Sequence, residues 1–160
     1  MWFSTKGRYG MKAVLELARR YGTGPVSIRE LAARVDVSAT YLEQLFKKLR
    51  EAQVVCSVRG AQGGYLLARL PQDILVGTVI RALEGSMAPV ICAEEGFTCT
   101  NSDACIESFL YKRIRQSIDV VIDHMTLQDM LDEENRMKQQ SKCAPNCGAG
   151  AEGALCRSNV

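Results

Sequence analysis

The sequence predicts a mainly α-helical fold carrying one small β-hairpin, and three observations lead there. Apolar residues recur at helical spacing through most of the chain, as they do on helices with one buried face. β-Branched alternation is confined to residues 54–58 and 65–67, on either side of a cluster of three glycines. At 160 residues and 47% hydrophobic content, the chain can build a real core and still carry an appendage.

The elements follow in order. Over 12–21, Val14, Leu15, Leu17, Ala18 and Tyr21 predict a first helix that stops near Gly22, and Gly22-Thr23-Gly24-Pro25 reads as a loop. Ser27-Ile28-Arg29-Glu30 has the form of a capping box, opening a short helix with Ile28, Leu31, Ala32 and Val35 inward. Asp36-Val37-Ser38 makes a turn, and Ser38 caps a third helix lined by Tyr41, Leu42, Leu45, Phe46 and Leu49. Two short helices joined in this way form a helix-turn-helix, whose second member can enter a DNA major groove.

The outward face of that helix carries Ser38, Ala39, Thr40, Glu43, Gln44, Lys47, Lys48 and Arg50. Thr40 and Gln44 suit base edges, Glu43 suits a cytosine amino group, and Lys47, Lys48 and Arg50 suit phosphates. The hairpin that follows is a wing, with Arg59 and Gly60 at the near end of its loop and Arg59 suited to a narrow minor groove. A phosphate-cradling nucleotide loop is the rival reading of the glycines, but no Lys-Ser pair follows and no helix opens there.

Pro71-Gln72-Asp73 marks a boundary. Residues 74–83 read as a linker helix with Val76, Val79, Ile80 and Leu83 inward, ended by Gly85-Ser86. Cys92, Cys99 and Cys105 then fall in an aperiodic stretch, separated by six and five residues, able to bring three sulfurs together. The spacing does not match a zinc knuckle, so an iron–sulfur cluster, zinc, copper(I), redox-active thiols and inert cysteines all remain open.

Asp103 is expected to cap a long helix running to about Met125. Its stripe of Ile106, Leu110, Ile114, Ile118, Val121, Ile122 and Met125 is more than a small head can cover. A twofold dimer through residues 104–125 buries the stripe and sets two heads about one DNA turn apart. His124 lies too far along that helix to join the cysteines and reads as solvated or interfacial. A last short helix starts at Thr126-Leu127-Gln128-Asp129 and ends in Asp132-Glu133-Glu134. The expected division is a DNA-binding winged helix-turn-helix over 1–70, a linker helix, cysteine loop and dimerisation helix over 71–138, and a disordered tail over 139–160. That tail holds Cys143, Cys147 and Cys156.

Charge agrees with this division. The net charge of +2 conceals 12 Lys/Arg against 5 Asp/Glu in residues 1–70 and 8 against 13 in the remainder, as suits a chain with one half made for a polyanion. No apolar run is long enough for a membrane span, and the first residues lack the regions of a signal peptide. A cytoplasmic protein with reduced cysteines is expected. An enzyme is a poor fit, because the only histidine has no partner beyond Asp119 and Asp123. No small-molecule substrate is expected. A winged helix that docks only proteins is the remaining rival.

The segments Tyr41-Leu42-Glu43-Gln44-Leu45-Phe46, Ser57-Val58-Arg59-Gly60 and Gly63-Gly64-Tyr65-Leu66-Leu67, with the three cysteines, resemble the IscR-like iron–sulfur regulators of bacteria over residues 1–138. The resemblance implies a homodimeric winged-helix regulator, a repressor or a dual-acting one, on double-stranded operator DNA. It also implies a cluster on Cys92, Cys99 and Cys105 that modulates DNA affinity, [2Fe–2S] as in the family, with [4Fe–4S] and a cluster-free form left open. Two departures stand out. The first gap holds six residues where the family has five, and Ser108 stands where the family's ligating histidine falls. A fourth ligand then comes from Glu107, Ser108 itself as a weak donor, Glu94, Glu95, Asp103, a tail cysteine, the partner subunit or a small thiol. The alternative is a cluster-independent regulator of cysteine or sulfur metabolism that responds to thiol state or a protein partner.

Overall fold

A computed structural model describes residues 4–60, 62–94, 96–97 and 105–142. The elements are α1 (Thr5–Arg19), α2 (Ile28–Val35), α3 (Ala39–Glu51), β1 (Val55–Val58), β2 (Gly64–Leu67), α4 (Val76–Glu84), α5 (Ile106–His124) and α6 (Leu127–Lys142). Short 3₁₀ turns at Pro71–Asp73 and Ile91–Ala93 flank α4. The fold is the expected one, mainly helical with a two-stranded antiparallel wing and a long C-terminal helical region.

Local chemistry builds the helix-turn-helix. Ser27 Oγ accepts from Glu30 N at 3.2 Å and starts α2; Ser38 Oγ accepts from Tyr41 N at 3.2 Å and starts α3. Only half of the capping box forms, because the Glu30 carboxylate turns away to Arg20 at 2.6 Å. Between the helices Asp36 takes the left-handed conformation (φ 59°) that lets the chain reverse in three residues. Inside, Leu31, Leu42, Leu49 and Phe46 are each fully buried, joined by Val14, Val54, Val79 and Leu83 from neighbouring elements. Each such side chain removed from water contributes about 1.5–3 kcal/mol.

Four expectations are corrected. The first helix starts at Thr5 instead of residue 12 and ends at Arg19, leaving Tyr21 46% exposed beyond it. Gly7 and Gly10 lie within it, each costing a helix about 1 kcal/mol in propensity. Both are buried, Gly7 against Glu84 and Gly10 against the Leu83 methyls, so their missing side chains let α1 and α4 approach closely. Glu84 closes this junction by accepting from Ser4 N, Ser4 Oγ and Gly7 N at 2.8, 2.8 and 3.0 Å.

The long helix starts at Ile106 with Cys105 at its N-cap position, where the side chain makes no capping bond; Asp103 lies outside the described residues. The last helix is 16 residues long, so residues 139–142 belong to it and not to a tail. Finally, the α5 stripe divides: Ile122 is buried and Ile118 half-buried against α4, while the remaining members face outward.

Paired backbone bonds, Val76 N to Met125 O at 2.8 Å and Leu127 N to Ile74 O at 3.0 Å, fasten the entry of α4 to the α5–α6 junction. They return α6 to the head, where Leu127 joins the core and Glu134 accepts from Arg19 at 2.8 Å. Arg19 and Lys138 together hold the Glu134 carboxyl well below its ordinary range, at about 2, with the Arg19 hydrogen bond as the largest cause.

Candidate nucleic-acid interface and cysteine region

The recognition helix α3 presents two faces of opposite character. Leu42, Leu45, Phe46 and Leu49 are buried, whereas Ser38, Thr40, Glu43, Gln44, Lys47, Lys48 and Arg50 are exposed and Tyr41 is half-buried. Two of these side chains have structural bonds as well. Ser38 Oγ caps its own helix, and Lys48 Nζ donates to the Leu83 carbonyl at 3.5 Å, so Lys48 leans toward the end of α4.

The wing is held in register by pairs Val55 with Leu67, Cys56 with Leu66, Ser57 with Tyr65 and Val58 with Gly64. Tyr65 anchors it twice. Its ring meets Phe46 of α3 edge-on at 4.7 Å, and its backbone exchanges bonds with Val26 at 3.0 and 2.9 Å. The wing is thereby fastened to α3 and to the chain entering α2. Gly60 turns the hairpin at φ 122°, a conformation that side chains disfavour, and Arg59 beside it is exposed.

Among the described cysteines, Cys92 sits on the turn that packs against α5, and Cys105 sits at the start of that helix; both are half-buried free thiols. Cys99, Glu95, Cys143, Cys147 and Cys156 lie outside the described residues. Of the fourth-ligand candidates, Glu94 is exposed, and the two that follow Cys105 in the chain part company. Ser108 is 5% exposed and faces the interior, whereas Glu107 is exposed and accepts from the Cys105 thiol at 3.4 Å. Its own backbone N–H and, second, that thiol hold the Glu107 carboxyl below the ordinary carboxylate range. Among the described residues no three His, Cys, Asp or Glu side chains converge as a metal site. Cys105 has the Glu107 carboxylate at hydrogen-bonding distance, and thiolates are the soft donors that iron–sulfur clusters take.

An ion-pair network behind the cysteine turn was not foreseen from the sequence. Arg81 of α4 donates to both Asp123 oxygens at 2.5 and 2.8 Å and to Asp119 at 2.5 Å. Arg115 pairs with Asp119 at 3.3 Å and donates to the Ala93 carbonyl at 2.8 Å, one residue past Cys92. The carboxylates raise Arg81 further above its usual pKa, and the Arg81 hydrogen bond is the largest cause that lowers Asp123. The only sequence signal was the four-residue spacing of Arg115, Asp119 and Asp123.

On the outer side of α5, Ile106, Phe109, Leu110, Val120 and Val121 are 74, 64, 54, 60 and 57% exposed. A protomer leaves that face to water, and dimerisation removes it from water. His124 is exposed, with Nδ1 2.8 Å from the Val120 carbonyl, and takes no part in the cysteine region. Among the described residues no helix is long and apolar enough to cross a membrane.

A winged helix-turn-helix with a long helix for pairing defines a homodimeric DNA-binding transcriptional regulator. The family model for Rrf2, described as an iron-dependent transcriptional regulator, matches residues 3–133, and the chain belongs to that family. It is 42% identical over 130 residues to the regulator CymR of Bacillus subtilis, covering 81% of this chain and 89% of that one. The solved structure of that protein, titled the global cysteine regulator, aligns with a TM-score of 0.68 at 40% identity over 83% of this chain and 98% of that one. The regulator IscR of Sodalis glossinidius is 38% identical over 135 residues, 84% of this chain and 81% of that one. The structure of T. potens IscR aligns with a TM-score of 0.68 at 41% identity, covering 91% and 94% of the two chains.

Proposed function

We propose that this regulator represses from operator DNA as a homodimer and that a [2Fe–2S] cluster on Cys92, Cys99 and Cys105, with Glu107 as fourth ligand, sets its DNA affinity. The observation that carries this reading is the Cys105–Glu107 contact at the head of α5. It supplies a carboxylate donor where Ser108 is turned inward. The cluster, when bound, supplies a redox- and iron-responsive tie between the cysteine turn and α5. The protein's own part is mechanical: Arg115 and Arg81 join that turn, α5 and α4, and α4 meets α3 through Lys48.

On the DNA side, Thr40, Glu43 and Gln44 read base edges. Ser38, Tyr41, Lys47, Lys48 and Arg50 position the backbone, and Arg59 with Gly60 enters the minor groove. Anaerobic reconstitution tests the cluster. Two iron and two sulfide per subunit, lost in the Cys92, Cys99, Cys105 triple substitution and destabilised in Glu107→Ala, are expected. Absence of a sulfide-bearing chromophore overturns the reading.

A second reading, control of cysteine or sulfur metabolism through thiol state without a cluster, draws on the free thiols of Cys92 and Cys105 and on the likeness to the cysteine regulator. DNA affinity that follows thiol oxidation in iron-free protein favours it.

A further inference from the structure

We propose that Arg29 is a DNA-backbone anchor, taking a phosphate in the groove between the start of α2 and the wing. Of the two arginines on α2, Arg34 is paired with Glu16 and Glu30, at 3.8 and 3.6 Å. Arg29 is exposed and has no carboxylate partner among the described residues. Its neighbour Glu30 is drawn the other way, toward Arg20 at 2.6 Å. The guanidinium donors of Arg29 are thereby left for something outside the protein.

They border an open groove of about 300 Å³, lined also by Ser27, Ser57, Val58, Gly63 and Tyr65, and no carboxylate is part of that lining. The Val26–Tyr65 bonds that fasten the wing to α2 fix the groove's width. Its position is what a phosphate contact requires. Val58 is next to Arg59 on the wing, and α2 is the helix that crosses the sugar-phosphate backbone when α3 lies in the major groove. A guanidinium can donate two parallel hydrogen bonds to a phosphate, which fixes the head's orientation without reading sequence.

The test compares the full-length dimer with Arg29→Gln, Arg29→Lys and the remote charge control Arg136→Gln, on α6. Binding is measured by fluorescence anisotropy between 50 and 200 mM salt. The probes are a duplex recovered by selection from random sequence and its shuffled counterpart. Two lost phosphate contacts per dimer reduce the slope of log K against log salt by about 1.8, so wild-type affinity falls about 12-fold more than that of Arg29→Gln across this range. Arg29→Lys retains the slope, Arg136→Gln leaves it unchanged, and both duplexes are affected alike. An Arg29→Gln slope equal to wild type, or a loss confined to the selected duplex, overturns the proposal.

Discussion

Replacing Arg81 with Met removes the one side chain that joins α4 to both Asp119 and Asp123 of α5. The three side chains are 38, 25 and 38% exposed, so each pair is worth only a partly screened ion pair, about 0.2–1 kcal/mol. The fork on Asp123 places the sum toward the upper end. Removal also leaves two like charges four residues apart, adding roughly 0.2–0.5 kcal/mol of repulsion that Arg115 relieves in part through Asp119. A loss of about 1–2 kcal/mol follows, or a fall of about 2–4 °C in Tm per kcal/mol at this chain length.

The loss depends on pH in a defined direction. Arg81 holds Asp123 below its ordinary value of 3.8, so the stabilisation is complete above that value and is lost as pH falls through the lower folded-state value. The gap between wild type and Arg81→Met is therefore widest near pH 7 and closes in acid. Thermal melts at fixed protomer concentration from pH 7 to 3 measure it, with Asp123→Asn and the double variant completing a cycle. A gap that persists undiminished at pH 3, or additive effects of the two substitutions, refutes the reasoning.

Gly10→Ala adds a methyl group that meets the Leu83 methyls in the core. Overpacking of about 1–3 kcal/mol outweighs the helix propensity gained, so urea denaturation shows a net loss; a stabilised variant contradicts the close approach of α1 and α4. Val121→Asp puts a charge on the exposed outer face of α5 and leaves the protomer core intact. Sedimentation equilibrium then shows at least a tenfold weaker dimer with unchanged far-ultraviolet circular dichroism, and an unchanged dimer constant refutes the assignment of that face.

The helix-turn-helix was legible because its signals are local. Ser27 and Ser38 each cap a backbone N–H three residues ahead, and Leu42, Leu45, Phe46 and Leu49 share a face by spacing alone. The start of α1 was not, since Gly7 and Gly10 argue against a helix until Leu83 and Glu84 are placed beside them. The same holds for the long helix. Its apolar stripe was evident, but the division into Ile118 and Ile122 facing α4 and the others facing outward depends on where α4 lies.

By itself, then, the sequence determined the reading head and the wing with its glycine turn. Each rests on residues within a few positions of one another, where backbone geometry fixes the outcome. Tertiary structure alone decided that Ser108 turns inward while Glu107 meets Cys105, and that Arg34 is neutralised while Arg29 is not. It also decided that Arg115, Asp119 and Arg81 link the cysteine turn to α4. Those outcomes depend on which side of a helix is buried and which charges from distant elements come within a few ångströms, and no local pattern specifies either.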